Sequence, residues 1–444
     1  MRRRAILLLF PLVLLASLGV SRPAMAEAPR LSLMHGPVEQ SLFVLWAQTR
    51  GAGRVAVRYH PEADPARLRQ LERLTSEEGD FTAVLRLAGL EPGTAYRYRV
   101  SVDGTEAAEG GFRTRPLWQY RTDPPEATLA FGSCSYLNDR FDRPGTPWGG
   151  EYGIFDAIAA IRPDAMLWLG DNVYLREPEW TSLEGMSARY RAYREEPALA
   201  GLWRGTHHYA TWDDHDFGPN DADGSFIHKG ASLEAFRRYW PNPAHGLPGV
   251  PGVFTQFSLA DAEVFVLDDR WYRYPNDYPR VPAKRLYGAA QLEWLKQALL
   301  SSRATFRIVA AGTQFWNRVS RFESFQNYPD EARELLDWIT ERRIPGVVFL
   351  SGDRHFSQLL RLERPGTYPL HEFTSSPLTG GVATNPGDNE RTNPDLVDGT
   401  LLTQRSFGML RLSGPKAARV LALEAYDAAG RLLWKRELKA AELR

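Results

Sequence analysis

The stretch Trp168-Leu-Gly-Asp171-Asn-Val-Tyr174, entered from Asp164-Ala-Met-Leu, constrains this chain more than any other. An apolar run that stops abruptly at a glycine and polar residues predicts a buried β-strand with a reactive carboxyl end. Open α/β sheets place their chemistry at that edge, because the loops leaving it converge. Taken alone, the stretch is equally a Gly-Asp turn with a packing tyrosine. The rest of the chain decides between the two, because the layout recurs. Apolar strands with small hinge residues also lead to Cys134, to Asp213-Asp214-His215, to Gln314 and to Asp353-Arg354-His355. Five such ends in order within one domain are what a metal pair on a sheet edge requires.

The segments between these ends support an α/β reading. Ile154, Ile158 and Ile161 mark one helix face, and Pro163 stops the helix before the Trp168 strand. Strand, helix and strand form a βαβ unit. Further helices are predicted over Gly185–Glu196, Ala231–Trp240, Ala290–Leu300 and Pro329–Arg342, from apolar spacing. Val253–Leu259 with Ala262–Leu267, and Ser406–Leu412 with Ala418–Tyr426, read as antiparallel pairs. Residues 27–116 are different. Ser41-Leu-Phe-Val-Leu-Trp-Ala, Arg54-Val-Ala-Val-Arg-Tyr and Thr94-Ala-Tyr-Arg-Tyr-Arg-Val alternate, and Leu90-Glu-Pro-Gly-Thr is a turn before a strand. These short strands predict a fibronectin-III-like β-sandwich, structural or forming one wall of the site. A polar linker follows, and 126–444 is the predicted catalytic domain.

Residues 1–26 stand apart from both domains. Arg2-Arg3-Arg4, an apolar run over Ala5–Val20 and Ala24-Met25-Ala26 together make a secretory signal peptide. Either the Sec or the twin-arginine route fits, the latter through Arg3-Arg4-Ala5-Ile6-Leu7. The mature protein is therefore expected to be periplasmic or secreted, with no transmembrane anchor after cleavage. Lys plus Arg and Asp plus Glu both number 54, so no global field favours a stable nucleic acid complex. The chain has one cysteine, Cys134, and hence no internal disulfide. A lone thiol in an oxidising compartment is either buried and inert or held by a ligand.

Thiolate, phenolate, carboxylate and imidazole suit an Fe(III)-type ion, and carboxylate and amide oxygens suit a harder divalent ion. The ordered blocks Gly132-Ser-Cys134-Ser, Gly170-Asp171-Asn-Val-Tyr174, Trp212-Asp213-Asp214-His215-Asp216 and Gly352-Asp353-Arg354-His355 resemble those of the alkaline phosphatase D (PhoD-like) family. That family is in turn distantly similar to the purple acid phosphatases. Thr374-Ser-Ser-Pro-Leu-Thr and the N-terminal sandwich match as well, so the likeness covers nearly the whole mature chain.

The resemblance implies an α/β fold, a four-layer αββα metallophosphatase sandwich behind the smaller β-sandwich. It implies that Cys134, Asp171, Tyr174 and His355 hold Fe(III). Asp171 would bridge to a second site, Ca2+ or another divalent ion, completed by Asp214 and Asp353. Asn220, Asp221 or Gln314 could add a metal ligand or a phosphate contact. Asp213 and Asp216 would support the ligands from behind.

Two cations roughly 3.5–4 Å apart would clamp a phosphoryl group and acidify a bound water, whose hydroxide would attack phosphorus in line. His215 would protonate the leaving group or hold a phosphate oxygen, and Arg354 would pair with the remaining oxygens. Arg270 is a further candidate for a phosphate oxygen, though it reads first as a structural ion pair. The predicted substrate is a small phosphate monoester, diester or both. The alternative is a non-catalytic metal- or phosphate-binding protein on the same fold. A purely structural metal site would be closed by protein ligands and would have no use for His215.

Overall fold

The structure is a computed structural model and describes residues 31–142, 145 and 147–444. The expected signal peptide lies outside the described residues. Among the described residues, no helix is long and apolar enough to cross a membrane.

Seven strands make the first domain: β1 (Ser32–Val38), β2 (Leu42–Gln48), β3 (Gly53–Pro61), β4 (Arg69–Thr75), β5 (Thr82–Ala88), β6 (Ala95–Val102) and β7 (Thr105–Arg113). They form two sheets, β1-β2-β5 and β4-β3-β6-β7. The period of two explains the sandwich. In β3, Val55, Val57 and Tyr59 are buried while Arg54 and Arg58 are exposed. Phe43, Leu45, Leu85, Tyr98 and Phe112 fill the space between the sheets.

This domain is bonded to the second one. The Trp46 indole donates to the Arg238 carbonyl at 2.6 Å, and the Gln48 amide donates to the Tyr239 hydroxyl at 2.9 Å. Asp80 accepts from Arg191 and Tyr239.

The second domain is built on two six-stranded sheets. The first contains β8 (Ala127–Gly132), β9 (Ala165–Leu169), β10 (His207–Thr211), β17 (Ser406–Ser413), β18 (Val420–Asp427) and β19 (Leu432–Lys439), in the order β10-β9-β8-β17-β18-β19. The second contains β11 (Thr255–Leu259), β12 (Ala262–Val266), β13 (Phe306–Ala310), β14 (Val347–Ser351), β15 (Gln358–Leu362) and β16 (Leu370–Thr374), in the order β11-β12-β13-β14-β16-β15. The βαβ unit is present, with α1 (Gly153–Ile161) joining β8 to its parallel neighbour β9. The hairpins β11–β12 and β17–β18 form as well.

Alternation along the strands decides the layering. Leu129, Phe131, Leu167 and Tyr209 point at the second sheet, where Phe131 meets Phe373 edge-on and Tyr209 stacks on Phe257. Their neighbours Ala130, Met166, Trp168 and Ala210 point outward. There they meet α1, α2 (Leu183–Glu195), α3 (Ala200–Gly205) and α5 (Lys229–Tyr239), while α4 (Asp214–Phe217) follows β10. The other sheet is covered by α6 (Ala289–Ser301) and α7 (Pro329–Glu341), through Leu292, Leu295, Leu335 and Ile339. Helix, sheet, sheet and helix make four layers. The short α8 (Asp388–Arg391) interrupts the 380–399 stretch, which is otherwise irregular.

Candidate metal centre

β8, β9 and β10 run parallel in one sheet, as do β12, β13, β14 and β16 in the other, and the carboxyl ends of β8, β9 and β10 meet those of β13 and β14 at one edge. Glycine makes the closure possible. A Cβ on Gly170, where φ is +84°, would lie 2.5 Å from the Asp213 Cβ, and one on Gly352 would lie 2.5 Å from the Ser133 side chain. The edge is also strained. Cys134, Asp171, Asp221, Asp353 and His355 all have positive φ, between +50° and +66°. Such residues cost about 1–3 kcal/mol each and persist where their surroundings over-determine them. Here backbone groups do so: Cys134 N donates to Gly170 O, Ser135 N to Asp171 O, and the Asp353 and His355 amides to Ser133 and Ser376 hydroxyls.

Asp171 is at the centre, with 1% of its surface exposed. Its Oδ2 accepts from the Tyr174 hydroxyl at 3.0 Å and faces Cys134 Sγ at 3.6 Å. Its Oδ1 accepts from the His215 amide at 3.2 Å, and Asp214 Oδ1 accepts from the same N–H at 3.0 Å. The two oxygens therefore address two different donor groups. Ligand atoms of Asp171, Asp214 and His215 lie within 4.8 Å of one another, and so do those of Asp214, Asp221 and Glu323. His355 lines the same pocket. Its Nδ1 lies 2.6 Å from the Gly381 carbonyl, which makes Nδ1 the protonated nitrogen and frees Nε2. Behind the edge, Asp216 accepts from the Asn172 and Asp213 amides at 3.1 and 3.0 Å.

Electrostatics test whether cations fit. Burial pushes the Asp171 carboxyl well above the usual carboxylate range, and Asp214, Cys134, Asp216 and Asp353 push the same way. Burial raises the Tyr174 phenol, and Asp171 adds to it. The Cys134 thiol is pushed up to about 11 by burial and by Asp353. Asp353 rises to about 6 through burial, with Arg354 opposing. For Asp214, burial is outweighed by His215, Arg270 and the Asp221 N–H, which hold it below the usual range. Burial also lowers His215, against the pull of Asp214. Among the described residues, no Lys or Arg forms an ion pair with Asp171, Asp214 or Asp353. Buried anionic groups need a partner or a metal, so the donor set fits bound cations.

The remaining expected residues divide. Asn220 and Asp221 are exposed and line the pocket mouth. Gln314 is fully buried, and both ends of its amide are engaged. Oε1 accepts from Asn317 and Arg354, and Nε2 donates to Thr374. Arg354 lines the pocket, but its guanidinium is also held by Gln314, Ser320 and, at 3.6 Å, Glu390. Among the described residues, none up to 116 lines this pocket, so they form no wall of it.

Trp148, Phe322 and Glu323 are among the pocket residues that carried no signal in the sequence, and all three lie on irregular segments. Glu323 could have been sought as the second partner of a buried arginine. Arg270 is fully buried, donates from Nε to Asp213 at 2.6 Å and also pairs with Glu323, which Arg273 holds at 2.5 Å. Removing such a cation leaves two buried carboxylates short of a partner. Arg270→Met should therefore lower the unfolding free energy by about 3–5 kcal/mol, read from denaturant titration. A loss under about 1 kcal/mol would mean that the pair is dispensable.

A four-layer sandwich with thiol, phenol, carboxyl and imidazole groups gathered on its strand ends fits a metal-dependent phosphoesterase. The chain belongs to the PhoD-like phosphatase family, which matches residues 129–404, and the family's N-terminal domain matches residues 17–116. Alkaline phosphatase D of Bacillus subtilis (strain 168) is 28% identical over 317 residues, a match covering 61% of this chain and 52% of that protein. The chain thus matches about half of that relative's length. A structure of PhoD superposes with a TM-score of 0.74 at 20% identity, over 92% of this chain and 91% of that one. The purple acid phosphatase PPD1 from seeds of yellow lupin (Lupinus luteus) superposes with a TM-score of 0.66 at 11% identity, over 93% and 74%. At these identities the two structures establish the shared fold.

Proposed function

We propose that this protein is an exported phosphoesterase that hydrolyses phosphate monoesters, diesters or both at a dinuclear metal centre. The observation that carries the reading is the two-sided environment of Asp171. One carboxylate oxygen faces Cys134 and Tyr174, and the other faces the His215 amide beside Asp214. Cys134, Asp171, Tyr174 and the free Nε2 of His355 would hold Fe(III). Asp171, Asp214 and Asp353 would hold Ca2+ or another divalent ion, with Asp221 and Glu323 adjoining Asp214. When bound, the metals supply the positive charge that offsets the phosphoryl group and makes water nucleophilic at neutral pH.

The chain's own groups do the rest. Asp216 ties the two ligand loops together through their amides. The His215 ring lines the pocket and protonates the leaving oxygen. Arg354 adds positive charge to the wall. The signal-like segment at 1–26 supports export.

The test is turnover of a phosphomonoester and a phosphodiester by protein as isolated, after chelation, and after return of iron and calcium. Chelation should abolish turnover and the two ions together should restore it. Metal-replete protein that hydrolyses neither ester would instead support the binding-protein reading.

A further inference from the structure

We infer that the pocket is shaped for phosphodiesters whose retained ester group is flat and aromatic, and that Phe322 selects that group. The inference rests on the phosphoesterase reading above. The cavity has a volume of about 820 Å³, near the upper end of small-molecule sites. Its floor is acidic, but two exposed rings stand over it. Trp148 is 39% exposed and Phe322 is 66% exposed. Single exposed apolar residues are ordinary on a surface. These two differ in where they stand and in how they are held.

Trp148 belongs to the thiol and imidazole end of the floor. Its ring lies 5.0 Å from His355 and 5.3 Å from Tyr174, and Arg405 donates to its carbonyl. Phe322 belongs to the carboxylate side of the floor, next in sequence to Glu323, whose carboxylate approaches Asp214 and Asp221. The Arg354 guanidinium lies 5.0 Å from the Phe322 ring and 5.2 Å from that of Phe356. Arg354 is itself fastened by Gln314 and Glu390. A chain of buried polar contacts thus fixes one aromatic ring at the pocket rim.

Chemistry then assigns the two walls. The leaving oxygen must face His215. The His215 ring lies 4.3 Å from Tyr174, which in turn contacts Trp148. The leaving group therefore departs along the Trp148 wall. In the reaction, the oxygen of water bonds to phosphorus, the bond to the leaving oxygen breaks, and that oxygen takes a proton. The second ester bond stays intact, and its substituent points to the Phe322 end. A monoester has nothing to place there, whereas a flat aromatic substituent stacks on the ring.

Two diesters with the same p-nitrophenyl leaving group test this, one retaining phenyl and the other methyl. Wild type should favour the phenyl ester about tenfold in kcat/KM, the upper range for one aromatic pair. Phe322→Ala should bring the ratio near one, and Phe322→Tyr should keep it. Calorimetric binding of phenylphosphonate and methylphosphonate to the metal-loaded protein gives a readout independent of turnover, with the same preference expected and lost in Phe322→Ala. Equal ratios in wild type and Phe322→Ala, in turnover or in binding, would overturn the inference. Phe322-dependent preference for phenylphosphonate without hydrolysis of any ester would uphold the ring site and overturn the phosphoesterase reading.

Discussion

Replacing His215 with alanine should lower phosphoester turnover by about 10²–10⁴-fold, the usual worth of a positioned acid, while leaving metal content unchanged. The structure separates what this residue's backbone does from what its ring does. The amide donates to Asp171 and Asp214, and the carbonyl accepts from Leu175 at 3.1 Å. Alanine keeps all three bonds. The ring lies half-buried against Tyr174 in the pocket, so its removal takes away chemistry rather than fold. One of its nitrogens also comes within 4.8 Å of Asp171 and Asp214 ligand atoms, which makes metal content the deciding companion measurement. Wild-type turnover would remove His215 from the mechanism. Parallel loss of metal and rate would make it a ligand.

Asp171→Asn should have the larger effect. Groups that merely support metal ligands are worth about 10–100-fold in metal affinity. A shared ligand should exceed about 100-fold for each metal, and turnover should fall with occupancy. Asparagine tolerates the left-handed backbone at this position, where φ is +50°, so the loop need not rearrange. The metal-free proteins should show the opposite order of stability. Burial and the surrounding anions raise the Asp171 pKa in the folded protein. An acid with a raised folded pKa binds its proton more tightly when folded, so stability falls as pH rises from the unfolded carboxylate value toward the folded one. Asparagine has no such penalty. At neutral pH the metal-free variant should melt higher than metal-free wild type, and the gap should close below about pH 4, where Asp is protonated in both states. With metals bound the order should reverse. A variant less stable than wild type in both forms would mean that Asp171 is chiefly a structural turn residue.

Much of this centre was legible because each strand end couples two local signals. An apolar run of about five residues, as in Ala165–Leu169 and Val347–Ser351, marks a strand buried on both faces. The glycine and donor that follow mark its carboxyl end. The sandwich domain was legible for the same reason, because Val55, Val57 and Tyr59 alternate with polar neighbours. Edge strand β4 was not, since Arg69-Gln-Leu-Glu-Arg-Leu-Thr is half exposed on both faces and its pattern is weak. The pairing of β17 with β8, which joins residues nearly 300 positions apart, has no local trace. Gln314 shows the limit of the strand-end argument. It ends a strand like the others, yet its amide is used to hold Arg354 and Thr374. Glu323, Trp148 and Phe322 lie on loops without periodicity, and only the folded chain brings them to the pocket.

Asp171 is expected to serve two metals at once. Elemental analysis of wild type and Asp171→Asn, both as isolated without added metal, tests this directly. Wild type should contain iron and a divalent ion in stoichiometric amounts, and the variant should lose both together. Retention of both ions by the variant, or loss of one with the other at full occupancy, would contradict a shared carboxylate and with it the dinuclear centre.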